Sequence, residues 1–205
     1  MTRKTLLTAV LTAAVAWPMW TAAQARRDAT GPKVDIVFAG SSSIEYWNLK
    51  TSFPDLQTIN KGVGGSEITD SIRWEDRDVM AYQPRVVVFY SGDNDIGGGV
   101  SPQDVAAHVD QFAAKLHAAL PQTRLVVISI KPSLARWSVA KQMRQANTLI
   151  RQHIAASPWI EFVDIQDQML GPDGTPLRDL FVSDGLHMTP AGYRIWTAAV
   201  RPHLN

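Results

Sequence analysis

The sequence predicts an α/β fold, a three-layer αβα sandwich around a five-stranded, mainly parallel sheet. Short apolar, β-branched runs recur at residues 34–39, 86–90, 125–130 and 160–163, with a weaker run at 57–60, and this is how strands buried on both faces of a parallel sheet read. Longer helix-like stretches separate them, and strand and helix alternating in this way argue for helices on both faces of one sheet. No repeat, low-complexity tract or linker interrupts the alternation, so one domain accounts for residues 34–205.

Each element has a local reason. In the first 25 residues, Arg3 and Lys4 precede an apolar run from Leu6 to Trp17, and Ala23-Gln24-Ala25 supplies the small-x-small pattern of a signal-peptidase site; this reads as a cleaved secretory signal. A membrane anchor is the other reading, but Thr8, Thr12 and Pro18 interrupt the run, which falls short of the ~20 apolar residues a span requires. Residues 26–33, RRDATGPK, form a polar leader. The strand at 34–39 ends at Gly40, which permits a sharp turn into a helix at 42–49. The strand at 57–60 leads to a glycine block and a helix at 66–81. After the strand at 86–90, Ser101-Pro102 places an N-cap residue and a first-turn proline at the start of a helix over 102–119, closed by Pro121. The strand at 125–130 is followed by a helix over 135–156, the strand at 160–163 by a long loop, and a last helix starts near Pro190 and ends before Pro202.

Composition narrows the function. The chain of 205 residues is 45% hydrophobic and 19% charged with a formal net charge of +1, and removal of Arg3 and Lys4 with the signal brings it to −1. This balance gives no reason to expect nucleic acid. Cysteine is absent, so there is no disulfide, thiolate nucleophile, cysteine-ligated metal or lipid-bearing cysteine. The expectation is a free periplasmic or secreted protein with no membrane span after cleavage.

In parallel sheets, ligands bind at the carboxyl ends of the strands, so the segments that follow them should share one crevice. They are Gly40-Ser41-Ser42-Ser43, the block Asn60 to Gly65, Ser91-Gly92-Asp93-Asn94-Asp95, Lys131 to Trp137, and, near the C-terminus, Ser183-Asp184-Gly185-Leu186-His187. Of the three serines, Ser42 is best placed at a helix N-terminus, where free N–H groups stabilise an anion; all three also suit plain capping and turn roles. The Gly-x-Ser-x-Gly elbow is not met, because Ile44 occupies the last glycine position. A serine hydroxyl needs a base and an orienting carboxylate. His108, His117 and His153 fall in helix-like stretches and His203 in the tail, whereas His187 follows Asp184 by three residues in a glycine-containing loop.

Acyl transfer also needs donors for an oxyanion. Gly65 can offer a backbone N–H and Asn94 a side-chain amide. The glycines are not a phosphate loop, since no Gly-Lys-Ser/Thr follows. Asp93, Asn94 and Asp95 also read as turn-formers, and a calcium loop fits weakly: Asp93, Asp95, Gly98 and Asp104 match the EF-hand spacing, but Gly97 offers no side chain at the fifth position and Asp104 replaces glutamate.

Taken together, Gly40-Ser41-Ser42-Ser43-Ile44, the glycine block ending at Gly65, Gly92-Asp93-Asn94-Asp95 and Asp184-Gly185-Leu186-His187 resemble, in order, the four sequence blocks of the SGNH or GDSL hydrolases. The resemblance implies a flavodoxin-like sheet and a serine esterase in which Ser42 is the nucleophile, His187 the base and Asp184 its partner. The N–H groups of Ser42 and Gly65 and the Asn94 amide would hold the oxyanion. Ser41 stands where many members carry aspartate, which bears on turn geometry more than on the triad. No metal or cofactor is implied. The expected partner is a small-molecule ester with a short acyl group, with acetylated saccharides and lipid-like esters both open, and Ser133, Arg136 and Trp137 are expected to line its site. An acyltransferase or a non-catalytic binding module on the same fold are the alternatives. Oligomeric state is not legible.

Overall fold

A computed structural model describes residues 34–205; the signal and leader expected at 1–33 lie outside them. Five strands, β1 (Ile36–Gly40), β2 (Thr58–Gly62), β3 (Val86–Tyr90), β4 (Arg124–Ile128) and β5 (Ile160–Val163), form one sheet in the order β2-β1-β3-β4-β5. Every neighbouring pair is parallel, as expected. The order reverses between β1 and β3, so the loops leaving these two strands diverge and open a crevice at their carboxyl ends.

Successive side chains of a strand point to opposite faces, and the two faces have separate cores. Ile36, Phe38, Val86, Val88 and Tyr90 face Trp47, Phe53 and Trp196, which belong to the segment around α1 (Ser42–Glu45) and α2 (Leu49–Ser52) and to the last helix, α7 (Pro190–Val200). Val37, Val87 and Phe89 face α3 (Ile68–Asp78), α5 (Pro102–Ala119) and α6 (Ala140–Ile154). On the first face the Trp196 ring packs on Tyr90 at 4.6 Å and on Trp47 at 5.5 Å; burying an aromatic of this size stabilises the fold by roughly 2–3 kcal/mol. On the second, Phe89 stacks on Phe112 with centroids 4.1 Å apart.

Two elements differ from expectation. The helix expected over 42–49 is two short helices, because the side chain of Asn60 on β2 donates to the carbonyls of Ile44 at 2.6 Å and Trp47 at 3.2 Å. Those bonds satisfy carbonyls that a continuing helix would use, and Asn48 restarts the chain by accepting from the Thr51 N–H at 3.1 Å. Asp93, Asn94 and Asp95, which also read as turn-formers, lie in a fourth helix, α4 (Asp93–Gly97).

One core residue is a carboxyl without a hydrogen-bond partner. Glu75 of α3 is fully buried and neither carboxylate oxygen has a hydrogen-bond partner among the described residues. Burial pushes its carboxyl up to about 8 from an ordinary 4.5, with the Lys115 charge opposing and Asp76 adding to the rise. Between those two values the folded chain holds a proton that the unfolded chain has released. Stability therefore falls as pH rises through this window, by up to about 1.4 kcal/mol per pH unit. Glu75→Gln should leave the melting temperature at pH 4.5 nearly unchanged and raise it by several degrees at pH 8.5; thermal melts at the two pH values check this, and equal shifts at both would sink it.

Candidate active site

Gly40 builds the corner on which the site rests. Its φ is +136°, open to glycine but rarely to other residues, and it lets the Ser41 N–H donate to the Tyr90 carbonyl at 3.0 Å. That bond starts α1 at Ser42 and leaves the Ser42 N–H without a protein acceptor among the described residues. Tyr193 of α7 then ties the corner down, its hydroxyl donating to the Ser43 carbonyl at 3.0 Å.

His187 approaches from the far end of the chain. Its Nε2 lies 3.0 Å from the Ser42 hydroxyl oxygen, and its Nδ1 lies 2.6 Å from Asp184 Oδ2. A carboxylate accepts only, so Nδ1 carries the proton and Nε2 is left to accept from the serine hydroxyl. Asp184 is fixed in turn by accepting the N–H groups of Leu186 at 2.8 Å and His187 at 2.9 Å. Those bonds, led by the one from Leu186 and helped by His187, hold its carboxyl down at about 2 against the opposing effect of burial. It stays ionised wherever the imidazole has work to do. Gly185, at φ +68°, makes the turn between them, and its carbonyl accepts the Ala135 N–H at 3.0 Å, fastening this loop to the segment after β4.

The two other expected oxyanion donors lie on the segments that follow β2 and β3. Gly65 sits at φ +73° with open space where a side chain would be, and its N–H has no protein acceptor among the described residues. Asn94, in α4, donates one amide hydrogen to the Ser66 carbonyl at 2.8 Å. The two flanking aspartates diverge. Asp95 is buried and accepts the Ile68 N–H at 3.1 Å, holding the start of α3 beside Ser66; burial raises its carboxyl to about 6 despite that bond. Asp93 pairs with buried Lys131 at 2.8 Å. Burial alone would raise its carboxyl, but the charges of Lys131 and Arg136 hold it below the ordinary range.

The segment after β4 corrects one expectation. Ser133 is 1% exposed, its hydroxyl enclosed and without a partner among the described residues, so it is part of the packing and not a substrate contact. It is drawn inside because buried Asn147 of α6 pins the preceding Ile130 through both its backbone groups, at 2.8 and 2.9 Å. Arg136 does reach the site, by donating to Asn94 Oδ1 at 2.7 Å. Trp137 is half-buried and lies under the Arg144 guanidinium of α6 at 5.8 Å.

Two features lay beyond sequence reasoning. Tyr46 leaves the end of α1 and sets its ring edgewise on the His187 imidazole, centroids 5.0 Å apart, while staying 56% exposed. A cavity of about 780 Å³ opens beside it, between the α1–α2 segment and α7, walled by Tyr46, Trp47, Met188, Tyr193 and Ala198 with Arg194 at its side. Its volume is that of a small-molecule site.

Several known proteins are similar to this chain. The human protein "Platelet-activating factor acetylhydrolase IB subunit alpha1" from Homo sapiens is 27% identical over 176 residues, covering 81% of this chain and 73% of its own. Among solved structures, a GDSL-like lipase from Bacteroides thetaiotaomicron superposes with a TM-score of 0.73 at 21% identity, covering 84% of this chain and 88% of its own. An acetylxylan esterase from Geobacillus stearothermophilus superposes at 0.65 with 16% identity, covering 85% and 95%. The model of the GDSL-like Lipase/Acylhydrolase family matches residues 12–195, and the chain therefore belongs to that family, a family of hydrolases acting on ester bonds.

Proposed function

We propose that this protein is a serine esterase that cleaves a short acyl group from an alcohol through an acyl-enzyme on Ser42. The observation that carries the reading is the relay from Ser42 through His187 to Asp184, at 3.0 and 2.6 Å, made by residues 145 positions apart in the chain. In the first half-reaction the Ser42 oxygen attacks the ester carbonyl carbon as Nε2 of His187 takes its proton, and the N–H groups of Ser42 and Gly65 with the Asn94 amide receive the oxyanion. Collapse expels the alcohol, which takes that proton from His187. A water molecule, deprotonated by the same nitrogen, then attacks the acyl-enzyme and releases the acid. Catalytic mutants of the acetylxylan esterase replace a serine, an aspartate and a histidine, the last two three positions apart in that chain, which supports assigning the same roles to Ser42, Asp184 and His187.

His187 protonates the leaving alcohol, and the cavity beyond it is the place for that alcohol. Its aromatic wall suits the apolar face of a sugar or an alkyl chain, so an acetylated saccharide and a lipid-like ester are the two substrate classes to compare. Tyr46→Ala should raise KM about 3- to 10-fold for esters of bulky alcohols, the loss of one aromatic contact, and leave it unchanged for methyl acetate; steady-state kinetics on the two esters tests this.

A fluorophosphonate provides the direct test of the nucleophile. Mass spectrometry should find the label on Ser42, and a label on Ser43, or none at all, would overturn the assignment. Acid release measured with and without saccharide acceptors separates hydrolysis from transfer. Export is part of the proposal: protein recovered from a periplasmic or culture fraction should begin at Arg26.

A further inference from the structure

Arg136 was expected to touch substrate, and its surroundings point to a different task. It is held from three sides. Nη2 donates to Asn94 Oδ1 at 2.7 Å, and Nη1 lies 3.1 Å from the Asp93 carboxylate. That carboxylate is itself anchored by Lys131, whose Nζ is 2.8 Å away and also 3.2 Å from the Tyr90 hydroxyl. On the third side is Gly97, one turn along α4 from Asn94, where a Cβ would stand 2.8 Å from Arg136 Nε and 3.2 Å from Cζ. The side chain thus rests against a position kept bare.

We infer that Arg136 is a positioning residue for the oxyanion site: its guanidinium fixes the Asn94 amide with the oxygen turned to Arg136 and the NH2 turned to substrate. This rests on the serine esterase reading above. A primary amide has two nearly isosteric orientations and only its hydrogen-bond partners choose between them. A guanidinium donates and never accepts, so beside Arg136 only the oxygen is tolerated. The NH2 then spends one hydrogen on the Ser66 carbonyl, at 2.8 Å, and keeps the other for the oxyanion. In the flipped orientation the amide would present an oxygen to developing negative charge and remove the donor altogether. Arg136 thereby acts on the transition state without touching substrate, which requires its loss to appear in kcat and not in KM.

Four variants test this on p-nitrophenyl acetate. Removing a single oxyanion donor costs about 10²- to 10³-fold in kcat, the result expected for Asn94→Ala. Arg136→Met should cost about 10- to 100-fold in kcat with KM within about twofold of the parent. Gly97→Ala keeps the guanidinium but pushes it aside; it should lower kcat about 3- to 10-fold with KM within about twofold of the parent, with circular dichroism verifying that the variant is folded. In the double variant Asn94→Ala/Arg136→Met, kcat should match that of Asn94→Ala within about threefold, because the arginine acts through the amide. A rise in KM without loss of kcat would return Arg136 to substrate binding, and fully multiplicative losses in the double variant would give it an independent role; either result overturns the inference. If Arg136→Met does not fold, the decision passes to Gly97→Ala, whose unchanged kcat would equally overturn it. Failure of the esterase reading is separate: it would show as activity retained in Ser42→Ala, whatever these variants do.

Discussion

Ser42→Ala should lower kcat/KM on p-nitrophenyl acetate by about 10⁴-fold or more, whereas Ser43→Ala should stay within about fivefold of the parent. The methyl of alanine leaves the corner at Gly40, the helix start and the N–H groups of residues 42 and 65 in place, so on the proposed reading the variant loses the attacking oxygen and nothing else. Residual turnover then measures what oriented donors achieve with water alone. Ser43 makes the control informative. Its hydroxyl is buried without a partner among the described residues, and its one recorded tie to the site is through its carbonyl, which accepts from Tyr193; alanine preserves that carbonyl. Release of p-nitrophenolate, with circular dichroism to verify folding, separates the two. Comparable losses in both variants would mean that the helix start, and not the Ser42 hydroxyl, supports turnover.

Gly40→Ala should cost more than about 4 kcal/mol for a single added methyl. An added Cβ would lie 1.8 Å from the Tyr90 carbonyl oxygen, and the residue would have to hold φ +136°. Neither can relax locally. The oxygen belongs to the central strand β3 and already accepts the Ser41 N–H, so relief requires parting β1 from β3 beside Ser42. The variant should be recovered largely insoluble, or, if soluble, should unfold at a much lower urea concentration and be inactive. A soluble protein with a parental urea midpoint would show that the corner has slack the geometry denies it.

The strands, the layer order and the site were legible because each is written locally. Apolar runs buried on both faces mark β1, β3 and β4 without reference to anything distant, and the glycine before Ser42 and the Asp-x-x-His loop are short patterns with few uses. What escaped depends on partners far along the chain. The break after α1 is caused by a side chain on β2, Asn60, which in sequence reads only as the end of a strand. Asp93, Asn94 and Asp95 also read as turn-formers; they are helical because each is claimed from outside, by Lys131, Ser66 and Ile68. Ser133 was misplaced for the same reason: Asn147, which pulls its segment inward, sits well inside the next helix.

The bond between Ser42 and His187 spans 145 positions, and that separation has a bearing on how the molecule comes into being. Ser42 and His187 leave the ribosome 145 residues apart, and the clamp from Tyr193 to the Ser43 carbonyl comes later still. Until the loop that carries His187 packs against the corner at Gly40, Ser42 has no imidazole beside it. On the proposed reading, turnover therefore reports that this one long-range contact has formed, and not merely that the sheet is in place.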